Sequence, residues 1–445
     1  MRHVTSTAVR AVWRSGGQAV GMLVILLSAR PPDRPTAGLS AGPPDRPTAV
    51  SPACDPDNAG LTLPAGFCAV LVADQLGSAR HLAVTPAGDL FVAIESRGGR
   101  GGIVALRDTS GDGKADVQER FGTEGGTGIA AGRDVLYFSS STTVYRFPIA
   151  AGRLTPTGAA DVLARDLPAD GNHRSKSLVL SADGTVLYVN FGSPSNSCQV
   201  VDRTAESPGK DPCPDLATRA GIWRFDAARR NQGQADGTRF ATGIRNAVGL
   251  ALDPSGRLWA TQHGRDQLGQ NWEKLFTLEQ SAEKPSEELL RVQEGDDFGW
   301  PYCYHDPELH HLVLAPEYGG DGKKVGLCAQ KKEPAVAFPA HWAPDGLLFY
   351  TGTQFPQRYR GGAFIAFHGS WNRAPLPQQG YRVAFVPFQD GKPAGTYETF
   401  ADGFWREEEG GPKYRPVGVA QGPDGSVYIT DDATGRIWRV MYRGR

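Results

Sequence analysis

Short apolar runs separated by polar turns recur along the chain, and this pattern predicts β-hairpins. The clearest unit is HLAVTPAGDLFVAI, where two apolar runs flank a turn that contains glycine. Asp-Gly or Ser-Gly pairs at several of these turns supply the left-handed backbone conformation that a tight hairpin needs. Such units begin at His81, Ser177, Gly249 and Gly418, with weaker copies at Gly128 and Gly346.

A third apolar stretch follows several of these hairpins, as in TTVYRFPI, GIWRFDAA, YRVAFVPF and GRIWRVMY. Six hairpin units, each extended by further strands, predict an all-β chain folded as a six-bladed β-propeller. A multi-sheet sandwich is the alternative, but it does not explain the repeated turns. The unpaired stretch FCAVLVAD near Phe67 is predicted to complete the C-terminal blade and so to close the ring. The best helix candidate is EKPSEELLRV near Glu283.

Composition agrees with many short strands and excludes some partners. Glycine and proline contribute 56 and 33 of the 445 residues. The formal net charge of -1 indicates neither nucleic acid nor an anionic membrane surface as a partner. The six cysteines form three neighbouring pairs, 54 with 68, 198 with 213 and 303 with 328, which suggest three local disulfides among 15 connectivities. Buried reduced thiols are the alternative.

The N-terminus has the features of an export signal. Arginines precede the apolar stretch AVGMLVILLSA, so residues 1–29 are predicted to be a signal peptide, with an uncleaved anchor as the alternative. Residues 30–53 repeat PPDRPTA and are predicted to be a disordered linker. The propeller is expected over residues 54–445, in a periplasmic or secreted protein, because disulfides persist in oxidising compartments.

The stretch DTSGDGKADVQE has the oxygen spacing of a twelve-residue calcium loop. Its alternating side chains and central glycine resemble an EF-hand loop, yet the flanking sequences do not predict paired helices. We therefore expect a structural Ca²⁺ loop between strands, and an acidic solvated turn is the alternative. The predicted ligands are Asp108, Ser110, Asp112, the Lys114 carbonyl, Asp116 and Glu119.

Six stretches in order resemble the soluble quinoprotein sugar dehydrogenases, which are propellers dependent on pyrroloquinoline quinone (PQQ). They are GNHRSKSLVL, GIRNAVGLALDP, QHGRD, GDDFGWPYCY, HGSWNR and KYRPVGVAQGPDGSVYITD, and the sorbosone and pyranose dehydrogenase-like branch is the most similar. The resemblance implies PQQ and Ca²⁺ as cofactors, a sugar substrate and an external electron acceptor. No CxxCH haem-attachment motif is present, so electrons would leave to a separate carrier.

The resemblance also implies roles for individual residues. His173, in NHRSKSL, matches the family's general base, a role that suits an imidazole with a pKa near 6.5. The backbone carbonyls of Gly264 and Arg265, in QHGRD, match the loop that holds the cofactor's Ca²⁺. The residues expected to contact PQQ are Arg174, Arg245, Asn246, Arg373, Lys413 and Arg415.

Other features concern the substrate and the family pattern. His341, His368 and Trp371 are candidates for lining a sugar pocket. The family's quinone-contacting glutamine has no counterpart in FGTEGGTGIA, where Thr127 or Glu124 is the substitute to consider. Two other functions stay open at this point: a calcium-dependent propeller lactonase or hydrolase, and a non-catalytic propeller that binds a protein or glycan.

Overall fold

The computed structural model describes residues 52–96, 99–406 and 410–444, and it confirms the six-bladed β-propeller. Each blade is an antiparallel sheet of four strands. The first strand of the chain is β1 (Phe67–Ala73). Blades one and two contain β2 (Ser78–Val84), β3 (Leu90–Glu95), β4 (Gly102–Arg107) and β5 (Val117–Phe121), then β6 (Ile129–Ala131), β7 (Val135–Ser139), β8 (Val144–Pro148) and β9 (Asp161–Ala164).

Blades three and four carry the long insertions. Blade three contains β10 (Leu178–Leu180), β11 (Val186–Phe191), β12 (Gly221–Asp226) and β13 (Thr238–Thr242). Blade four contains β14 (Leu250–Leu252), β15 (Leu258–Gln262), β16 (Glu287–Arg291) and, further along the chain, β20 (Val336–Phe338). Between β16 and β20, β17 (Asp296–Asp297) pairs in parallel with β13, and β18 (Cys303–Asp306) forms a hairpin with β19 (His311–Leu314).

Blade five contains β21 (Pro344–Phe349), β22 (Ala363–Phe367), β23 (Arg382–Val386) and, after the hairpin β24 (Phe388–Gln389) and β25 (Lys392–Pro393), β26 (Glu398–Ala401). The hairpin β27 (Trp405–Arg406) and β28 (Gly411–Pro412) precedes blade six, which contains β29 (Pro416–Gln421), β30 (Val427–Asp431) and β31 (Ile437–Tyr442). Strand β1 is the fourth strand of blade six, as predicted, with Phe67 opposite Tyr442.

Helical segments are short and lie in the connections. The α-helices are α1 (Leu268–Asn271) and α2 (Leu278–Glu283). Single turns of 3₁₀ helix cover Asn58–Gly60, Pro214–Ala217, Gln234–Asp236, Pro316–Tyr318, Gly326–Gln330 and Gln357–Tyr359. No helix among the described residues is long and apolar enough to cross a membrane.

The predicted helix EKPSEELLRV is wrong. Helix α2 ends at Glu283, and the stretch continues as strand β16, whose residue Leu290 pairs with Ala260 of β15. Pro285 lacks the backbone N–H that a continuing helix would use. The sheet also needs a third strand here, so tertiary pairing overrides the local preference of glutamate and leucine for helix.

Apolar side chains on facing blades form the core. Between blades five and six, Phe67 packs edge-on against Phe355, Tyr359 and Phe400, with ring centroids 4.8, 5.3 and 5.1 Å away. All three predicted disulfides are present, pairing Cys54 with Cys68, Cys198 with Cys213 and Cys303 with Cys328. The predicted signal peptide and nearly all of the predicted linker lie outside the described residues.

Candidate active site

A polar cavity of about 710 Å³ opens where the first strands of the six blades begin. In an antiparallel blade, the start of the first strand and the end of the second meet at one edge. The repeat therefore delivers side chains from every blade to the same place. Residues at or just before the first strands include Arg80, Thr127, His173, Arg245, Asp345 and Arg415, and those after second strands include Glu95, His263 and His368.

His173 is held in one tautomer. It lies in the loop before β10, and its Nδ1 is 2.9 Å from the backbone oxygen and 3.0 Å from the Oγ of Ser193. A carbonyl oxygen only accepts hydrogen bonds, so Nδ1 carries the proton and Nε2 keeps its lone pair. Within the described part of the chain, Nε2 makes no hydrogen bond. Nε2 is therefore the ring nitrogen left for a ligand in the cavity.

The environment of His173 also keeps it neutral. Burial, with the nearby Arg245 guanidinium, lowers the pKa of His173 well below its ordinary value. The expectation of a pKa near 6.5 is wrong in this respect, because the sequence does not show the desolvation. At neutral pH the imidazole is thus a free base.

Arg245 lies at the centre of a fully paired group. Its guanidinium donates to the Gly264 carbonyl at 2.7 Å, the Asn196 side-chain oxygen at 2.9 Å and Asp266 at 3.0 Å. Arg203 donates to the same carboxylate at 2.9 Å. Burial alone would raise the pKa of Asp266, but these cations outweigh it and hold the pKa well below its usual range. Asn246, also predicted, is buried in the cavity wall.

A second paired group contains residues that the sequence did not single out. Arg80 donates to Asp345 at 3.1 Å and to Asp432 at 2.8 Å, and all three are buried. His263 lies 3.1 Å from Asp345, and His368 lies 2.8 Å from Asp432. Burial lowers the pKa of His263, but Asp345 outweighs this and raises it overall. Arg80 and Asp345 directly precede the hairpin units at His81 and Gly346, and this position could have identified them from the sequence.

Three cations in the cavity wall have no acidic partner. Arg174 donates to the Gly171 carbonyl at 3.1 Å, and Lys176 donates to the Arg174 carbonyl at 3.0 Å. The Arg415 guanidinium donates to the carbonyls of His368 and Gly369 at 3.1 and 2.8 Å. None of the carboxylates that the structure describes lies within ion-pair distance of these side chains. Lys176, which the sequence analysis missed, follows His173 closely in NHRSKSL.

Two predicted cofactor contacts do not reach the cavity. Arg373 is buried elsewhere: its guanidinium donates to the Ala282 carbonyl at 2.7 Å and the Ala340 carbonyl at 3.2 Å, and it pairs with Glu283. The ammonium of Lys413 lies 5.7 Å from the centre of the Tyr414 ring, outside the cavity wall. Sequence proximity to a motif does not fix side-chain direction, and the cofactor contacts of Arg373 and Lys413 stay predictions that the cavity lining does not support.

The predicted metal ligands of QHGRD lie partly at the cavity. Gly264 and Asp266 line it, and the Gly264 carbonyl accepts a hydrogen bond from Arg245. The side chain of Arg265 points elsewhere and forms a buried ion pair with Glu317. The loop therefore offers carbonyl and carboxylate oxygens to the cavity, but arginines already bind those of Gly264 and Asp266.

The predicted calcium loop of Asp108 joins β4 to β5, as expected for an insertion between strands. Its acids bind backbone N–H groups: Asp108 accepts from Gly111 at 2.6 Å, and Asp116 accepts from Thr109 at 2.7 Å. Asp112 accepts from Lys114 at 2.8 Å, and Glu119 is exposed on β5. Among the described side chains, ligand atoms of three acidic, histidine or cysteine residues converge only at the Cys198–Cys213 disulfide and Asp215. The loop stays a prediction.

The residues predicted to contact a sugar do line the cavity. Trp371 is 67% exposed at its rim. His341 donates from Nε2 to the Ser281 carbonyl at 2.8 Å, which leaves Nδ1 to accept from Asn372 at 3.2 Å. Of the two candidates for the missing glutamine, Thr127 lines the cavity, whereas Glu124 bonds Tyr145 outside it.

Comparison with known proteins finds relatives among sugar dehydrogenases. A curated relative, the PQQ-dependent pyranose dehydrogenase of Coprinopsis cinerea, is 25% identical over 232 residues, 44% of this chain and 30% of that protein. The aligned stretches span 30% to 61% of the length of such relatives, the upper figure being the aldose sugar dehydrogenase YliI of Escherichia coli.

Two solved structures share the fold. The calcium structure of the family AA12 enzyme of Trichoderma reesei has a TM-score of 0.70 at 20% identity, covering 86% of this chain and 97% of that one. The holo PQQ domain of the Coprinopsis cinerea pyranose dehydrogenase has a TM-score of 0.69 at 19% identity, covering 89% and 99%. The family model described as TrAA12-like matches residues 61–443. The resemblance found in the sequence is thereby confirmed, and the chain belongs to the TrAA12-like family.

Proposed function

We propose that this protein is an extracytoplasmic dehydrogenase that uses PQQ and Ca²⁺ to oxidise an aldose or an aldehyde-sugar such as a sorbosone. Electrons pass from the cofactor to an external acceptor. The family, whose relatives include a PQQ-dependent pyranose dehydrogenase, supports the reaction class. The three disulfides support an oxidising compartment.

The observation that carries the proposal is the set of cavity cations without acidic partners. PQQ is a planar orthoquinone with three carboxylates, and Arg174, Lys176 and Arg415 are three cations that lack a carboxylate. Lys176 is buried, and a buried charge is costly unless an opposite charge compensates it. Arg174 is exposed and Arg415 is half-buried, and both add positive potential at the cavity. The donor set of the cavity therefore fits a tri-anionic ligand, and a volume of about 710 Å³ accommodates it together with a sugar.

His173 is the proposed general base. When bound, PQQ supplies a quinone that takes a hydride, two electrons and a proton, from the carbon bearing the substrate hydroxyl. The hydroxyl proton goes to Nε2 of His173, which is unprotonated at neutral pH, and the carbon is left as a carbonyl. Ser193 holds the ring by its Nδ1 throughout. Arg245 disfavours the imidazolium, so the proton is readily passed on.

The proposed Ca²⁺ site of the cofactor comprises the carbonyls of Gly264 and Arg265, with Asp266 beside them. Carbonyl and carboxylate oxygens are the ligands that Ca²⁺ prefers. Arg245 binds both Gly264 and Asp266, so it would have to share or release those oxygens for the metal. We also propose the Asp108–Glu119 loop as a structural Ca²⁺ site, supported by its spacing and its place between β4 and β5.

The charge pattern argues against a metal-dependent hydrolase. Such a site needs several carboxylates that converge on a metal. Asp266 and Asp345 are each paired with arginine. Glu287 accepts from the backbone N–H groups of Gly264 and Ala343. Among the described residues, no three acidic or histidine ligand atoms converge in the cavity. A purely binding propeller would not need a desolvated neutral histidine beside unpaired cations. The rim tryptophan Trp371, with His341 and His368 in the wall, supports a sugar, since aromatic faces and polar groups together suit one.

The test uses purified protein stripped with EDTA and then given PQQ and Ca²⁺. Dye reduction is followed across neutral aldoses, polyols and aldehyde-sugars, and PQQ binding is followed by absorbance. We expect activity only when both cofactors are added. His173→Asn should lower kcat by about 10²–10⁴-fold while PQQ still binds. His311→Asn, in the β18–β19 hairpin outside the cavity, is the matched control and should retain activity. Failure of the wild-type protein to bind PQQ would refute the proposal.

A further inference from the structure

Lys176 is a lysine side chain that the fold buries without a counter-ion. Its exposed fraction is 0%, although it belongs to the cavity wall. The Nζ donates to the carbonyl of Arg174 at 3.0 Å and lies 5.3 Å from the centre of the Phe191 ring in β11. Neither contact requires a full positive charge, because a neutral amine also donates to a carbonyl.

The charged groups that face Lys176 do not compensate it. Arg219 repels its ammonium, and Asp170, the acid that attracts it, has a side chain 78% exposed to solvent and already pairs with Arg219. Phe191 of β11 and Ser139 of β7, which binds the Lys176 carbonyl, are uncharged. His173 and Arg174 share its loop, and His173 is neutral. Burial and then Arg219 lower the pKa of Lys176 to about 7.

The empty protein and the ligand-bound protein should therefore differ in protonation at this residue. A buried amine with no acidic partner loses its proton readily, whereas an anion nearby in a low-dielectric wall favours the charged form. The other two cations without partners are arginines, which stay charged at any relevant pH. Lys176 is the cavity cation whose charge can respond to what the cavity holds.

We propose that Lys176 is the buried counter-charge for a carboxylate of the cofactor and that it takes up a proton when the cofactor binds. The inference rests on the proposed function and deepens it, because it names the group that couples PQQ binding to pH. The charge acts from within the cavity wall, so the ammonium compensates the anion even without direct contact.

The experiment is calorimetry of PQQ binding to the apoprotein with Ca²⁺ present. At each pH, titrations in two buffers whose ionisation enthalpies differ, HEPES and Tris at pH 8 and PIPES and Bis-Tris at pH 6, give the number of protons taken up. For a lysine with a pKa of about 7 we expect uptake of ~0.9 proton at pH 8 and ~0.1 at pH 6. A group such as His173, protonated only at lower pH, would give the opposite trend.

Variants assign the proton to the residue. Lys176→Met should abolish the uptake at pH 8 and weaken PQQ binding at least about tenfold. His173→Asn should retain the uptake, and Lys392→Met, on the exposed β24–β25 hairpin, should match the wild type in both. Thermal unfolding of each apoprotein checks that it is folded. The pH dependence of proton uptake by the wild type tests the proposal even if a variant fails to fold.

The outcomes separate the two proposals. If the wild type binds PQQ without pH-dependent proton uptake, or if Lys176→Met binds and takes up protons as the wild type does, the role of Lys176 is refuted and the function stands. Uptake on adding glucuronate but not PQQ would assign the charge to an acidic substrate and also overturn it. If the wild type binds no PQQ, both proposals fail.

Discussion

Two groups of charged side chains in the cavity wall differ in whether the protein itself compensates their charges. Around Arg80, each buried charge has a partner: two aspartates bind the guanidinium, and His263 and His368 lie beside those aspartates. Around His173, the cations Arg174 and Lys176 bind only backbone carbonyls. In the first group, acidic partners within the protein compensate the positive charge. In the second group, the cations have no acidic partner among the described residues.

This difference separates scaffold from binding site. A complete buried network stabilises one arrangement of the blades it joins, and removing one member leaves its partners unpaired. An incomplete group costs folding free energy in the empty protein and recovers it when an anion enters the cavity. The comparison predicts opposite effects on stability of removing Arg80 and of removing Lys176, the buried cation of the second group.

The largest effect is expected in the complete group. Arg80→Met leaves Asp345 and Asp432 buried without their shared cation, so the free energy of unfolding should fall by about 3–5 kcal/mol. Urea unfolding of the apoprotein measures it. Arg174→Met is the matched control, because that side chain is exposed and its removal leaves no buried carboxylate without a partner. Equal losses for the two variants would remove the distinction between the groups.

A smaller effect of opposite sign is expected for Lys176→Met. The folded-state pKa of about 7 lies below the value of 10.5 for an unfolded lysine, so the unfolded state binds more protons between them. The stability of the wild type relative to Lys176→Met should therefore rise as pH increases from 7 towards 10, because every other titrating group is common to both proteins. Below pH 7 the variant should be more stable by about 2–4 kcal/mol. A less stable variant at pH 7 would show that the charge is compensated.

The smallest effect concerns an acidic group outside the cavity. If the Asp108–Glu119 loop binds Ca²⁺, adding 10 times its Kd should stabilise the apoprotein by about 1.4 kcal/mol. Asp112→Asn should reduce that gain, measured as a shift in Tm without PQQ. Asp321→Asn is the control, because Asp321 also accepts backbone N–H bonds from residues 323 and 324. An unchanged gain in Asp112→Asn would assign the stabilisation to another site.

The fold was predictable because its information is local. Each hairpin unit carries its own apolar pattern, and five of the six became the first two strands of a blade. The weaker unit at Gly346 covers only the first strand of blade five, β21. Strand β16 was missed because EELLR is a strand only by virtue of its neighbours in blade four. Pairing with β15 and β20 overrides the local preference of this stretch for helix.

The site was only partly predictable, because compensation of charge is not local. His173, Arg174, Arg245, Asn246, Gly264 and Arg415 line the cavity as motif matching suggested. Arg80 and Asp432 are 352 positions apart, so no sequence window shows their pairing. The sequence likewise could not show that Arg373 is bound by distant carbonyls, or that none of the described carboxylates forms an ion pair with Lys176.

The closure of the ring has a consequence for the order of folding. Strand β1 pairs with β31, so Phe67 meets Tyr442 across almost the whole described sequence. The last blade is complete only when β1 and β31, from opposite ends of the described sequence, have paired, and bringing them together carries the loop-closure entropy of the whole propeller. Residues of all six blades line the cavity, so a complete cavity exists only once every blade is assembled.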